Sequence, residues 1–140
     1  MNEENMWKIL AEPYVMLGTD ASLRSPSGLL SRDYPHPRAY GSFPRFLRAA
    51  LDGKTVSVPE AVRKMTSLPT EHFRLQGRGV LAAGRQADVI VLDPSVLRDK
   101  SAYDNPHQLA VGIEHVIVNG VLTLSNGCLT GKRGGRFLAP

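Results

Sequence analysis

Asn119-Gly120 lies between the runs His115-Val116-Ile117-Val118 and Val121-Leu122-Thr123-Leu124. A two-residue hairpin loop of type I′ needs positive φ at both central positions, which Asn and Gly adopt at least cost, and its twist matches that of the flanking strands. The pair therefore predicts a β-hairpin, and a second Asn126-Gly127 follows closely. Asp88-Val89-Ile90-Val91-Leu92, stopped by Asp93-Pro94, adds another strand. The chain after Gly77 thus reads as strands and turns.

Upstream the pattern changes. Residues 3–10 place Met6, Ile9 and Leu10 at helical spacing behind acidic residues that suit a helix N-terminus. Pro13 ends that helix, and Tyr14-Val15-Met16-Leu17-Gly18 reads as a short apolar strand buried on both faces, with Asp20 just beyond its C-terminal end. Residues 21–44 are rich in Pro, Gly, Ser and Arg and predict a long functional loop. Helical spacing resumes at Phe46, Leu47, Ala50 and Leu51 until Asp52-Gly53. Ser57-Val58-Pro59-Glu60 carries a capping residue, an early proline and the acidic member of a capping box. The helix it starts should turn Ala61, Val62 and Met65 inward and finish before Pro69, with a further short helix over residues 70–73.

A chain of 140 residues supports one ordinary domain, or a small domain with a piece of another. It is too short for a whole (β/α)8 barrel of about 250 residues. With 42% hydrophobic and 21% charged residues it is not of the disordered class. The net charge of +4 is scattered, with Lys132, Arg133 and Arg136 grouped among glycines, and no aromatic platform accompanies it. Solvated surface charge is the preferred reading, so no nucleic-acid partner is expected. An anion-binding basic β-domain built on those three residues is the lesser alternative. Cys128 is the only cysteine, which excludes an internal disulfide and a cysteine-based zinc site and fits a cytoplasmic location. No signal peptide is expected at the N-terminus, and no apolar run approaches the ~20 residues of a membrane helix.

The segment Tyr14-Val15-Met16-Leu17-Gly18-Thr19-Asp20, followed by His36-Pro37-Arg38-Ala39-Tyr40-Gly41-Ser42-Phe43-Pro44-Arg45, resembles the D-aminoacylase and N-acyl-D-amino-acid deacylase family of the amidohydrolase superfamily. The likeness continues through Lys64-Met65-Thr66-Ser67-Leu68-Pro69 and Gly77-Arg78-Gly79-Val80. It extends over Gly84-Arg85-Gln86-Ala87-Asp88 with the strand after it, and over Gly112-Ile113-Glu114-His115-Val116-Ile117-Val118-Asn119-Gly120. These two tail motifs occur broadly among amidohydrolases, whereas the His-Pro-Arg to Phe-Pro-Arg segment narrows the likeness to the D-aminoacylase branch. Full members are several times longer.

The resemblance implies an α/β fold: an incomplete, C-terminal part of an amidohydrolase barrel over residues 1–73, then a β-rich module of a composite β-sandwich over residues 74–140. It implies the C-terminal portion of a zinc-dependent enzyme that hydrolyses N-acyl-D-amino acids. Asp20 would then stand at the barrel mouth as the catalytic carboxylate, taking the proton of a metal-activated water and passing it to the leaving amine. An aspartate seen alone at that place would be read as a turn or cap residue; the motif after it favours the catalytic lineage. Ala21 stands where the family has glycine, which puts the geometry of the following loop in question.

His36 and Arg38 belong to the segment expected to border the substrate pocket, where a planar arginine fork suits a substrate carboxylate. A turn histidine stacked among Tyr34, Pro35 and Pro37 is an equally good account of His36. Tyr40, Phe43 and Phe46 read as packing residues. His72, His107 and His115 lack metal-ligand spacing and are assigned to structure or surface. The family's ligands lie upstream, so no complete metal site is expected here; Asp20 is the one candidate contributor, and zinc would not be held by this chain alone. An isolated chain is expected to be inactive. The alternative is a non-catalytic binding or assembly module, with self-association or a complementing N-terminal polypeptide as its partner.

Overall fold

The computed structural model describes residues 2–138. Asn2 opens the first helix, its side-chain oxygen accepting the backbone N–H groups of Glu4 at 2.8 Å and Asn5 at 3.4 Å. The helices are α1 (Glu3–Ala11), α2 (Arg38–Leu51), α3 (Val58–Met65) and α4 (Ser67–His72), with a 3-10 turn at Gly28–Ser31. The strands are β1 (Val89–Leu92), β2 (Ile113–Val118), β3 (Val121–Ser125) and β4 (Cys128–Leu129), antiparallel and ordered β1-β2-β3-β4.

Both Asn-Gly pairs make the turns expected of them. Val118 pairs with Val121 and Ser125 with Cys128, leaving two-residue loops whose φ angles are 49° and 80°, then 50° and 74°. The hairpin is tied to the segment before β1 because Asp88 accepts the Asn119 backbone N–H at 2.8 Å. Arg78 bridges the same two side chains, donating to the Asp88 carboxylate and the Asn119 carbonyl oxygen. The aspartate of one tail motif thus receives the turn of the other.

In the helical part, Phe46 and Ala50 from α2 meet Ala61 from α3, with Trp7, Leu10, Leu17 and Met65 packed around them. The C-terminus of α2 is sealed by a Schellman motif. Lys54 N–H donates to Ala49 O and Gly53 N–H to Ala50 O, with Gly53 at φ 69°. Ser57 caps α3 through the Glu60 N–H at 3.4 Å, but the capping box is only half formed, since the Glu60 carboxylate turns to Arg63 at 2.8 Å. No helix among the described residues is long and apolar enough to cross a membrane.

Three expectations are corrected. Residues 14–18 form no strand: Tyr14, 73% exposed, lies in a turn, and residues 15–18 have no regular secondary structure. No strand among the described residues lies alongside to complete a ladder, and the backbone is held by α3 instead, Leu17 N–H donating to Lys64 O at 3.3 Å. The supposed loop over residues 21–44 ends early, because α2 already begins at Arg38 and carries Pro44 inside it. That proline removes one helical donor, a cost of about 3 kcal/mol or more that tertiary packing of the apolar face offsets. Finally, Val62 is 42% exposed while Lys64 is 0% exposed. A charged residue takes the inward position because main-chain acceptors wait for it there.

The core is narrow, so Phe46→Ala should cost about 3–5 kcal/mol. Urea unfolding followed by far-UV circular dichroism measures this, and a loss below about 1 kcal/mol would contradict the assigned core. Three carboxyls are held below their ordinary values. Asp52 is lowered by the Arg48 hydrogen bond, Glu60 by that of Arg63, and Asp93 by the Ser95 hydroxyl. Their stabilisation is complete above the ordinary values of 3.8 and 4.5 and is lost as pH falls through the lowered ones. The urea midpoint should therefore drop on acidification below that range, and a flat profile there would contradict these pairings.

Candidate functional site

A cleft of about 880 Å³ opens between α1, residues 16–18, the start of α2 and residues 99–103. Its apolar wall includes Met6, Leu10 and Leu17, and its polar rim includes His36, Arg38 and Tyr103. Apolar walls with a few placed polar groups are the usual make-up of a small-molecule site.

Asp20 lies two residues beyond Gly18, which lines the cleft, and is not itself a lining residue; its φ is 48°, a left-handed conformation that aspartate tolerates better than most residues. Its carboxylate is 92% exposed and pairs with the Arg38 guanidinium at 2.9 Å, the arginine side chain being 45% exposed. The two residues are thus brought together across 17 intervening positions, each retaining solvent-facing capacity for another ligand.

His36 is fixed at both ring nitrogens. Its Nδ1 accepts the Arg38 backbone N–H at 3.0 Å, which places the proton on Nε2, where it faces the Tyr103 hydroxyl at 3.0 Å. The Tyr103 ring meets the imidazole edge to face at 5.0 Å. The stacking partner expected from Tyr34 and the prolines is thus supplied by Tyr103.

A second pair repeats this arrangement. His107 Nε2–H donates to Asp33 O at 2.8 Å, leaving Nδ1 to accept from the Tyr40 hydroxyl at 3.1 Å. Burial holds the Tyr40 phenol above its ordinary value, opposed by Arg24 and assisted by Asp33. Asp99, 7% exposed at its side chain, completes the seam, accepting Arg45 Nη2 at 2.6 Å and Nε at 3.0 Å. Its other oxygen accepts Ser101 N–H at 2.8 Å. Gly41 is required opposite, because a Cβ there would overlap the Asp99 carboxylate. Asp99, Tyr103 and His107 had no local signal that could have marked them, since their side-chain partners, His36, Tyr40 and Arg45, lie more than fifty residues earlier.

Among the described residues, no three of His, Cys, Asp and Glu converge in a way that could hold a metal ion. His36 and His107 spend both ring nitrogens on hydrogen bonds. His72 packs edge to face on Phe73, and His115 lies on β2 with a buried Nδ1 that has no hydrogen-bond partner. The donor set therefore does not fit a zinc site. Cys128, Lys132, Arg133 and Arg136 are exposed on the far β-module.

An exposed carboxylate, that of Asp20, is thus paired with an arginine that lines a cleft with an apolar wall. A family model described as Amidohydrolase family matches residues 14–124. The chain belongs to the amidohydrolase family and corresponds to a C-terminal portion of its D-aminoacylase branch. It is 39% identical to a D-aminoacylase of Alcaligenes xylosoxydans xylosoxydans, over 99% of this chain and 28% of that protein. It is 40% identical to an N-acyl-D-glutamate deacylase of the same organism, over 86% of this chain and 23% of that protein. A crystal structure of D-aminoacylase superposes with a TM-score of 0.89 at 35% identity, covering 100% of this chain and 28% of that one. The N-acyl-D-glutamate deacylase of Bordetella bronchiseptica, complexed with zinc and a phosphonate inhibitor that mimics the reaction's tetrahedral intermediate, superposes with a TM-score of 0.86 at 35% identity. The chain spans about a quarter of the length of these relatives, and its fold is the expected C-terminal, partial α/β unit with a small antiparallel sheet.

Asp99→Ala removes acceptors for a guanidinium and a backbone N–H, so it should cost about 1–3 kcal/mol. Hydrogen exchange at Ser101 N–H should quicken with it. Unchanged exchange there would contradict the seam.

Proposed function

We propose that this chain is the C-terminal portion of a zinc-dependent enzyme hydrolysing the amide bond of N-acyl-D-amino acids. The observation that carries the reading is the pairing of Asp20 with Arg38, a residue that lines the cleft, in a chain that aligns from end to end with deacylases. The metal has no home among the described residues of this chain, so residues outside it would have to hold the zinc. The isolated chain is accordingly inactive.

The chemistry assigned to the chain's own residues is proton transfer and anchoring. Arg38 presents a planar fork to the substrate carboxylate, exchanging its ion pair with Asp20 for one with the ligand. His36 keeps the start of α2 in place by accepting the Arg38 N–H, and its ring borders the bound acyl-amino acid. Asp20, released from Arg38, accepts a proton from the water attacking the amide carbon. It then delivers that proton to the nitrogen as the C–N bond breaks, yielding a carboxylic acid and a free D-amino acid. Arg45 is less suited to the anchoring role because the Asp99 carboxylate already occupies its fork.

A second reading, an assembly module without chemistry of its own, draws on the apolar wall of Met6, Ile9, Leu10, Met16 and Leu17. Such a wall suits packing against a complementing N-terminal polypeptide as well as it suits a ligand.

The two readings separate in a chimaera that joins this chain to the remainder of the Alcaligenes D-aminoacylase. Asp20→Ala should lower kcat by about 10²–10⁴-fold with zinc content unchanged, and Arg38→Met should mainly raise KM. Full turnover by the Asp20 variant would leave only the assembly reading standing.

A further inference from the structure

Lys64 is 0% exposed, yet nothing in the proposed chemistry uses it. Its Nζ donates to the carbonyl oxygens of Glu12 and, at 2.9 Å, Val15, with the Glu60 carboxylate 3.7 Å away. Its own carbonyl accepts Leu17 N–H. Arg63, the residue before it, donates to Pro13 O. The segment over residues 12–17, which turns at Pro13 and Tyr14 with Val15 N–H donating to Glu12 O, is therefore hydrogen-bonded at four points by Arg63 and Lys64 of α3.

Burying an ammonium costs several kcal/mol that pairing only partly recovers, whereas an apolar side chain of like size would fill the space without that cost. What the charge supplies and a hydrocarbon cannot is a set of directed donors. Those donors act on the backbone that leads, three residues after Leu17, to Asp20. From the other side Arg38 holds the carboxylate itself. We infer that Lys64 is a positioning residue for Asp20: it sets where that segment ends, and so where the carboxylate stands relative to the scissile amide. The inference rests on the proposed role of Asp20.

The effect should fall on the chemical step. Arg38 sits on α2, whose ties to Asp99 through Arg45 and to Pro94 O through Arg48 do not involve Lys64. In the chimaera described above, Lys64→Met should lower kcat about 100-fold, the scale expected of a displacement near 1 Å, with KM and zinc content unchanged. Lys64→Arg, which keeps charged donors, should recover most of the turnover. An unchanged kcat with only a lowered Tm would overturn the inference, as would kcat and KM changing together. Failure of both variants to assemble would also overturn it, by assigning Lys64 to folding alone. The Asp20→Ala chimaera separates the two levels: if it retains turnover, the deacylase reading fails whatever Lys64 does.

Discussion

A buried ammonium on the third helix is the polar centre of the contact between that helix and the opening of the chain. Lys64 reaches the carbonyls of Glu12 and Val15, and around it the apolar core amounts to Phe46, Ala50 and Ala61 with a half-exposed ring of neighbours. With so little buried hydrocarbon, directed polar bonds carry a larger share of the specificity than they would in a full-sized domain. The segment ahead of Asp20 has no strand beside it in the described structure and is held instead by hydrogen bonds to Arg63 and Lys64 of α3.

The second constraint is the seam between α2 and the region after β1. Two tyrosine–histidine pairs, the Arg45–Asp99 pair and the Arg48 bond to Pro94 O lie along it. These bonds link residues 36–48, which carry the His-Pro-Arg motif, to residues 94–107, which contain no motif at all. The helix that presents Arg38 to the cleft is thus fixed by a segment from the other half of the chain. Asp88, Arg78 and Asn119 perform the corresponding service for the hairpin.

What the sequence made legible follows the range of the interactions. The two Asn-Gly hairpins, the Ser57 cap and the Gly53 stop depend on neighbouring residues, and their physics is local. The pairing of Asp20 with Arg38 was not visible as geometry, although the motif placed both at one site. The strand expected at residues 14–18 failed because a strand is a property of a pair, and no partner lies beside it among the described residues. Helix α2 was seen only in its second half, since Pro37, Gly41 and Pro44 mask the period that packing later enforces. Lys64 was missed because charge at a helical position is ordinarily read as solvent-facing. Its acceptors lie about fifty residues away. The seam residues Asp99, Tyr103 and His107 were hidden for the same reason of distance.

In the proposed function, this polypeptide contributes a carboxylate and an anchoring arginine to a site whose metal is held elsewhere. The direct test compares zinc content and hydrolysis of an N-acetyl-D-amino acid for the chain alone and for the chain mixed with the zinc-binding remainder of the Alcaligenes D-aminoacylase. The account predicts neither stoichiometric zinc nor turnover in the chain alone, and both in the assembled pair. Stoichiometric zinc with turnover in the isolated chain would contradict it.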